Sequence, residues 1–216
     1  MAPPANLTLY HIAPSRSSIV LWLLEEIGCP YALRVLDAAA GEQRGAAYLA
    51  VNPMGKVPAL VADGVVLTET GAICCYLADA FPAAGLAPAI GDPERGAFLK
   101  WMFFCNGCLE PAILDRMLGR PEAPPHMIGY GDFDRALSQV AAAVTPGPYL
   151  LGEAFSAADV VIGSLLGWAG KLGALPEVPA LADYVGRLEA RPAAVRADAR
   201  DAALAAAGAL PTAADA

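Results

Sequence analysis

Histidine is scarce. Only His11 and His126 occur in 216 residues, and neither falls in a metal-ligand spacing. A zinc site or a Ser-His-Asp hydrolase is therefore poorly supported. Lysine is scarcer than usual at three residues, and the formal net charge is −8. That balance argues against a general nucleic-acid binder, which shows a basic patch or stripe. It leaves room for a small anionic ligand held by a few local cations. No uninterrupted apolar run reaches membrane-spanning length. The opening "MAPPANLTLYHIAPSRSS" lacks a basic region followed by an apolar one, so no secretory signal is expected. The five cysteines are odd in number and follow no regular framework; reduced thiols in the cytoplasm are the expectation.

Hydrophobic residues are plentiful at 56%, enough to build the core of one domain or of two small ones. The first third alternates strand and helix patterns. "NLTLYHI" reads as a strand, and "SRSSIVLWLLEEIG" as a helix with serines at its start and Gly28 at its stop. "YALRVLD" is a second strand and "EQRGAAYLAVN" a short helix or loop. "VPALVADGVVLTE" is a hairpin around Asp63-Gly64, and "TETGAICCYLADAF" a helix that ends before Pro82. After a Pro-, Gly- and Ala-rich linker, everything reads helical. One long helix spans "PERGAFLKWMFFCNGCLEPAILDRML", with a kink expected near Pro111. "YGDFDRALSQVAAAV" and "SAADVVIGSLLGWAGKL" follow, the latter with Ser156 and Asp159 spaced as a capping box. One or two more helices broken at Pro192 come next, and the last residues, "ALPTAADA", are expected to fray. The reading is an α/β unit over 1–80, a linker over 81–92 and an all-helical unit over 93–216.

Within the hairpin, Pro58 opens a strand although proline cannot donate to a sheet ladder. "NPMGKVPAL", "ADGVVLTETGAI" and "YLLGEAFSAADVVIGSLLGW", in that order, resemble the signatures of the cytosolic glutathione transferases, bacterial and serine-type. The resemblance covers nearly the whole chain. It implies a thioredoxin-like βαβαββα domain followed by an all-helical domain. It also implies that Pro58 is cis and that the Val57 amide and carbonyl face outward to pair with the cysteinyl backbone of glutathione. Glu69 and Thr70 resemble the family's pair for the γ-glutamyl end, with Thr where most members have Ser. Lys56 is placed to reach the glycyl carboxylate. Each residue also has a plainer role: a strand-edge proline, an N-cap, a surface lysine.

A free thiol titrates near pH 8.5, so an activator is needed at neutral pH, and lowering its pKa by about two units takes about 2.7 kcal/mol. Where the family keeps its catalytic Ser, Cys or Tyr, this chain has Ser15, Ser17 and Ser18. Ser15 is the first candidate, Ser17 the second and Tyr10 the third, while N-capping is the ordinary role of such serines. No cysteine stands in that loop, which speaks against the cysteine-type members. Arg16 is a candidate for positive potential or a solvated side chain. For an apolar electrophile the candidates are Trp101, Met102, Phe104, Cys105 and Cys108, with plain core as the alternative. The resemblance implies a homodimeric transferase with glutathione as cosubstrate, a small hydrophobic electrophile, and no metal, nucleic acid or membrane. A glutathione-dependent isomerase or peroxidase, or a non-catalytic glutathione-binding protein, are the alternatives.

Overall fold

The computed structural model describes residues 2–121, 123–124 and 126–207. The expected fraying of "ALPTAADA" lies outside the described residues. The described elements are β1 (Leu7–His11), α1 (Ser17–Ile27), β2 (Ala32–Val35), α2 (Ala46–Leu49), β3 (Ala59–Ala62), β4 (Val65–Thr68) and α3 (Thr70–Ala80). They continue with α4 (Arg95–Phe104), α5 (Glu110–Met117), α6 (Phe133–Ala143), α7 (Ala157–Lys171), α8 (Pro179–Glu189) and α9 (Pro192–Ala207). This is the expected βαβαββα order followed by helices. The four strands form one mixed sheet in the order β2-β1-β3-β4. β1 runs parallel to β2 and antiparallel to β3, and β3–β4 is the hairpin. Asp63 and Gly64 both take positive φ at its tip, 46° and 86°, the geometry that a two-residue hairpin turn requires.

The chain forms two compact units. One holds the residues up to Ala84 together with the chain from Arg191; the other is Gly85–Ala190. The sequence division had kept all of 93–216 together, but α9 packs against α1. Helical periodicity gives a helix an apolar face and does not name its partner. Charge does so here. Glu25 and Glu26 end α1, where the helix dipole disfavours acids. Both are answered from α9 and the residue before it: Arg191, just ahead of the helix, grips Glu26 through two bonds of 2.7 and 2.9 Å, and Arg196 Nε lies 3.0 Å from Glu25. Trp22 Nε1 also donates to Glu26, at 2.9 Å. The core of this unit includes Leu9, Leu21, Leu24, Leu60, Ile73 and Leu77, all fully buried.

In the second unit the expected kink near Pro111 takes the form of a π-helical turn, Cys105–Leu109, between α4 and α5. Pro111 lacks an N–H, and its ring crowds the preceding turn, which the wider turn relieves. α7 supplies the centre of this unit. Gly163 lets α8 approach, because a Cβ there would fall 2.2 Å from Leu188 Cδ1.

Candidate active site

Strand register places the chemistry. Tyr10 pairs with Ala59, which pairs in turn with Thr68. The chain therefore leaves β1, enters β3 and leaves β4 at one end of the sheet. At that end stand the serine loop, Val57–Pro58 and Glu69–Thr70.

The serine loop is tightly tied. Ser15 Oγ accepts from the Ser17 N–H at 3.1 Å, and Ser18 Oγ accepts from the Ser15 N–H at 3.3 Å. This reciprocal pair caps α1, so the ordinary role of these serines is present. Ser17 has zero exposure. Its Oγ lies 2.8 Å from His11 Nδ1, 2.7 Å from Ser15 Oγ and 3.1 Å from the Ile12 N–H it accepts. Ser17, the second candidate, is thus buried and bonded within the loop, its Oγ also donating to the Ile12 carbonyl at 3.2 Å. Tyr10 turns to the opposite face of the sheet from His11, since side chains alternate along a strand. Its ring meets Tyr48 of α2 at 5.4 Å between centroids. Of the three candidates, Ser15 alone combines partial exposure with a place at the helix start.

The Val57–Pro58 bond is cis. The Lys56 carbonyl is held by Tyr48 Oη at 2.6 Å and Asn52 Nδ2 at 2.7 Å. These bonds fix the backbone just before Val57. Among the described residues, nothing pairs with the Val57 N–H or carbonyl. Lys56 itself is exposed, and Pro58 is buried. Glu69 has φ 68° and ψ 119°, a left-handed conformation costly for a non-glycine residue. Its carboxylate has no partner among the described residues, and neither does the nine-tenths buried Thr70 side chain. Thr70 begins α3, where N–H groups are free and the dipole is positive.

The helical candidates divide. Trp101, Met102 and Cys105 are 4%, 2% and 2% exposed, so they belong to the core of their unit and do not line an open pocket. Phe104 and Cys108 are half-buried. Burial pushes the Cys105 thiol up, away from reactivity. All five cysteines are free, and no metal-holding cluster is present among the described residues. A recess of about 200 Å³ borders Ile12, Ala13, Asp37 and Leu204. It adjoins the serine loop but touches none of Lys56, Val57, Glu69 or Thr70, so it is not the site described above.

Two partners escaped the sequence reading. His11, fully buried at the end of β1, stands with Nε2 2.8 Å from Asp201 Oδ1 on α9. A signal existed for Asp201: it continues the buried alanine stripe Ala193, Ala194 and Ala197 at helical spacing.

A family model described as "Glutathione S-transferase, N-terminal domain" matches residues 5–79, and one described as "Glutathione S-transferase, C-terminal domain" matches residues 111–187. Together they span well over half of the chain. The chain belongs to the glutathione S-transferase family. Glutathione S-transferase 3 of Schizosaccharomyces pombe is 34% identical over 50% of this chain, and the chain spans only 44% of that protein. Disulfide-bond oxidoreductase YfcG of Escherichia coli is 31% identical, over 83% of this chain and 88% of its own. A solved structure of a sphingomonad glutathione S-transferase complexed with glutathione superposes with a TM-score of 0.75 at 31% identity, covering 90% of this chain and 98% of that one. As a glutathione S-transferase, the chain has the expected fold: a four-stranded α/β unit followed by helices.

Proposed function

We propose that this protein binds glutathione at the shared end of the sheet and transfers its thiolate to small apolar electrophiles. The observation that carries the reading is a set of polar groups, all at that end, that have no partners among the described residues. The Val57 N–H and carbonyl suit the cysteinyl backbone, as an added strand suits a sheet edge. The Glu69 carboxylate suits the γ-glutamyl ammonium. The Thr70 hydroxyl and the start of α3 suit its carboxylate, and Lys56 suits the glycyl carboxylate. Ser15 Oγ, beside the start of α1, is the donor for the sulfur. A hydrogen bond to an anion plus a helix terminus is enough for the about 2.7 kcal/mol that a two-unit shift requires. The family's habit supports a homodimer acting in the cytoplasm, and no described helix is long and apolar enough to cross a membrane.

A second reading is a glutathione-dependent isomerase or peroxidase, and the Escherichia coli relative, a disulfide-bond oxidoreductase, adds disulfide exchange to it. It uses the same thiolate and the same binding groups. The test is calorimetric titration of glutathione into the protein and into Glu69→Ala. Saturable binding that the substitution weakens at least tenfold supports the site; no binding by the unmodified protein overturns it. A panel of aryl halides, enones, hydroperoxides and mixed disulfides then separates the two readings.

A further inference from the structure

A recess of about 200 Å³ lies across β1 from the groups proposed to hold glutathione. The sheet order β2-β1-β3-β4 sets this arrangement. Val57–Pro58 enters β3 and Glu69 leaves β4, so both stand on the β3 side of β1. The recess is on the other side, where the parallel strands β1 and β2 end together, His11 opposite Val35. Ile12 and Ala13, which follow β1, form one wall, and Leu36 and Asp37, which follow β2, form another. The Leu36 N–H donates to the His11 carbonyl at 2.8 Å, which keeps the two exits side by side. α9 closes the recess with Leu204 and Ala205, a turn beyond Asp201, whose Oδ1 lies 2.8 Å from His11 Nε2. The crevice beyond the carboxyl ends of parallel strands is where α/β sheets take ligands. Ser15 stands between the two sides. It lies in the loop that leaves β1, two residues after Ala13, so at most roughly 7 Å of chain separates it from the recess wall.

We propose that this recess holds the ring of the electrophile, and that Asp37 and Glu42 reject electrophiles carrying an anionic group. The inference rests on the glutathione-binding reading above and narrows the second substrate to neutral or cationic one-ring compounds. Size agrees, since a dry apolar cavity of about 150 Å³ already takes benzene. So does the lining, which is apolar apart from the two acids and includes no lysine or arginine among the described residues. Both acids are exposed, so they stand at the rim. Each is held through one oxygen. Asp37 Oδ1 accepts the Ala40 N–H at 3.0 Å, and Glu42 Oε2 accepts the Asp37 N–H at 2.9 Å. Asp37 Oδ2 and Glu42 Oε1 have no partner among the described residues. An anionic substituent would meet two anchored like charges and no counter-charge, which is selection by repulsion. The same charge turns away the carboxylates of glutathione itself and keeps the recess for the second substrate. With a benzyl chloride the reaction is a substitution: the thiolate electron pair forms the C–S bond, and chloride leaves with the pair of the broken C–Cl bond.

The test compares three benzyl chlorides bearing methyl, trimethylammonium or carboxylate at the para position. Each is read as kcat/KM divided by its uncatalysed rate constant with glutathione. The methyl and trimethylammonium probes are expected to be favoured about tenfold over the carboxylate at low salt, with the gap narrowing as salt screens the acids. Asp37→Asn combined with Glu42→Gln keeps both backbone hydrogen-bond acceptors and is expected to shrink the gap about threefold, with glutathione affinity by calorimetry unchanged. Ala205→Trp, which fills the recess, is expected to lower kcat/KM for the methyl probe about tenfold, again at unchanged glutathione affinity. An equally fast carboxylate probe, a gap untouched by the double substitution, or full activity in folded Ala205→Trp overturns the inference. So does glutathione binding without turnover of any probe, in which case the binding reading stands. No glutathione binding by the unmodified protein sinks that underlying reading instead. If either variant does not fold, methyl NMR of the unmodified protein with glutathione bound decides. The unreactive para-methylbenzyl alcohol must shift the Ile12 and Leu204 methyl signals and its para-carboxylate analogue must not; any other pattern overturns the proposal.

Discussion

Asp159→Ala tests the reading of the second unit most severely. The carboxylate of Asp159 has zero exposure and accepts four hydrogen bonds. The Leu150 N–H and Tyr184 Oη reach Oδ1 at 2.9 Å each; the Ser156 N–H and Oγ reach Oδ2 at 2.9 and 3.0 Å. A capping-box acid alone is worth about 1 kcal/mol. Here the substitution also strands a buried tyrosine hydroxyl and a backbone N–H, each costing about 1–3 kcal/mol. One effect opposes these. Burial pushes the Asp159 carboxyl up from its usual range, so removing it also removes a desolvation penalty. The balance is a loss of about 2–4 kcal/mol, or a Tm lower by about 5–15 °C for a chain of this size. Urea unfolding followed by tryptophan fluorescence measures it. Tyr184→Phe, which removes one of the four donors and strands none, is expected to cost about 1 kcal/mol. A loss below about 1 kcal/mol for Asp159→Ala would refute the reasoning, because it would mean that the four donors find water.

Further outcomes follow from the first unit. Ser15→Ala and Ser15→Gly should abolish bound thiolate equally. Stability should separate them: Ala loses the α1 cap at about 1 kcal/mol, whereas Gly loses only a few tenths. Equal thiolate in Ser15→Ala and the unmodified protein would remove Ser15 from the chemistry. For Glu25, burial pushes the carboxyl up, but hydrogen bonds from Tyr31 and Arg196 and the charges of Arg196 and Arg200 outweigh it, and the net direction is down. Its folded pKa thus lies below the unfolded value, so its stabilising effect is complete above about pH 4.5 and is lost as pH falls through the folded pKa. Thermal melts between about pH 5 and pH 3 should fall less steeply in Glu25→Gln than in the unmodified protein; parallel slopes would show that the clamp does not depend on this carboxylate.

What could be read in advance depended on range along the chain. The hairpin at Asp63-Gly64, the stop at Gly28 and the cap at Ser156–Asp159 are local, and each was visible because a few neighbouring residues determine it. The cis bond at Pro58 was expected only from the resemblance of the surrounding motif, since "VP" by itself reads as a strand-edge proline. The attachment of α9 was not. It rests on pairings such as Glu26 with Arg191, separated by 165 residues, and periodicity carries no address for a partner. Likewise, Trp101, Met102 and Cys105 read equally well as lining or as core. Only burial separates the two, because an apolar stripe does not say whether a helix or a void lies opposite. Tyr10 and His11 differ by one position, yet strand alternation sends them to opposite faces of the sheet, a distinction that depends on register.

At the proposed site the groups that hold the fold are also the ones offered to the ligand, and that limits how each can vary. Ser15 Oγ caps α1 by accepting the Ser17 N–H, and the same hydroxyl is the one proposed to meet the sulfur. Glu69 is held in a conformation costing about 1–3 kcal/mol, and its carboxylate has no partner among the described residues. A glycine there would relieve the strain and remove the charge together. Tyr48 and Asn52 spend their donors on the Lys56 carbonyl, one residue before the unpaired Val57 backbone. In each case the fold satisfies the groups on one side of a residue and leaves the other side open. A site made this way needs little rearrangement to receive a peptide, which is the condition under which binding energy goes into the thiolate instead of into ordering the protein.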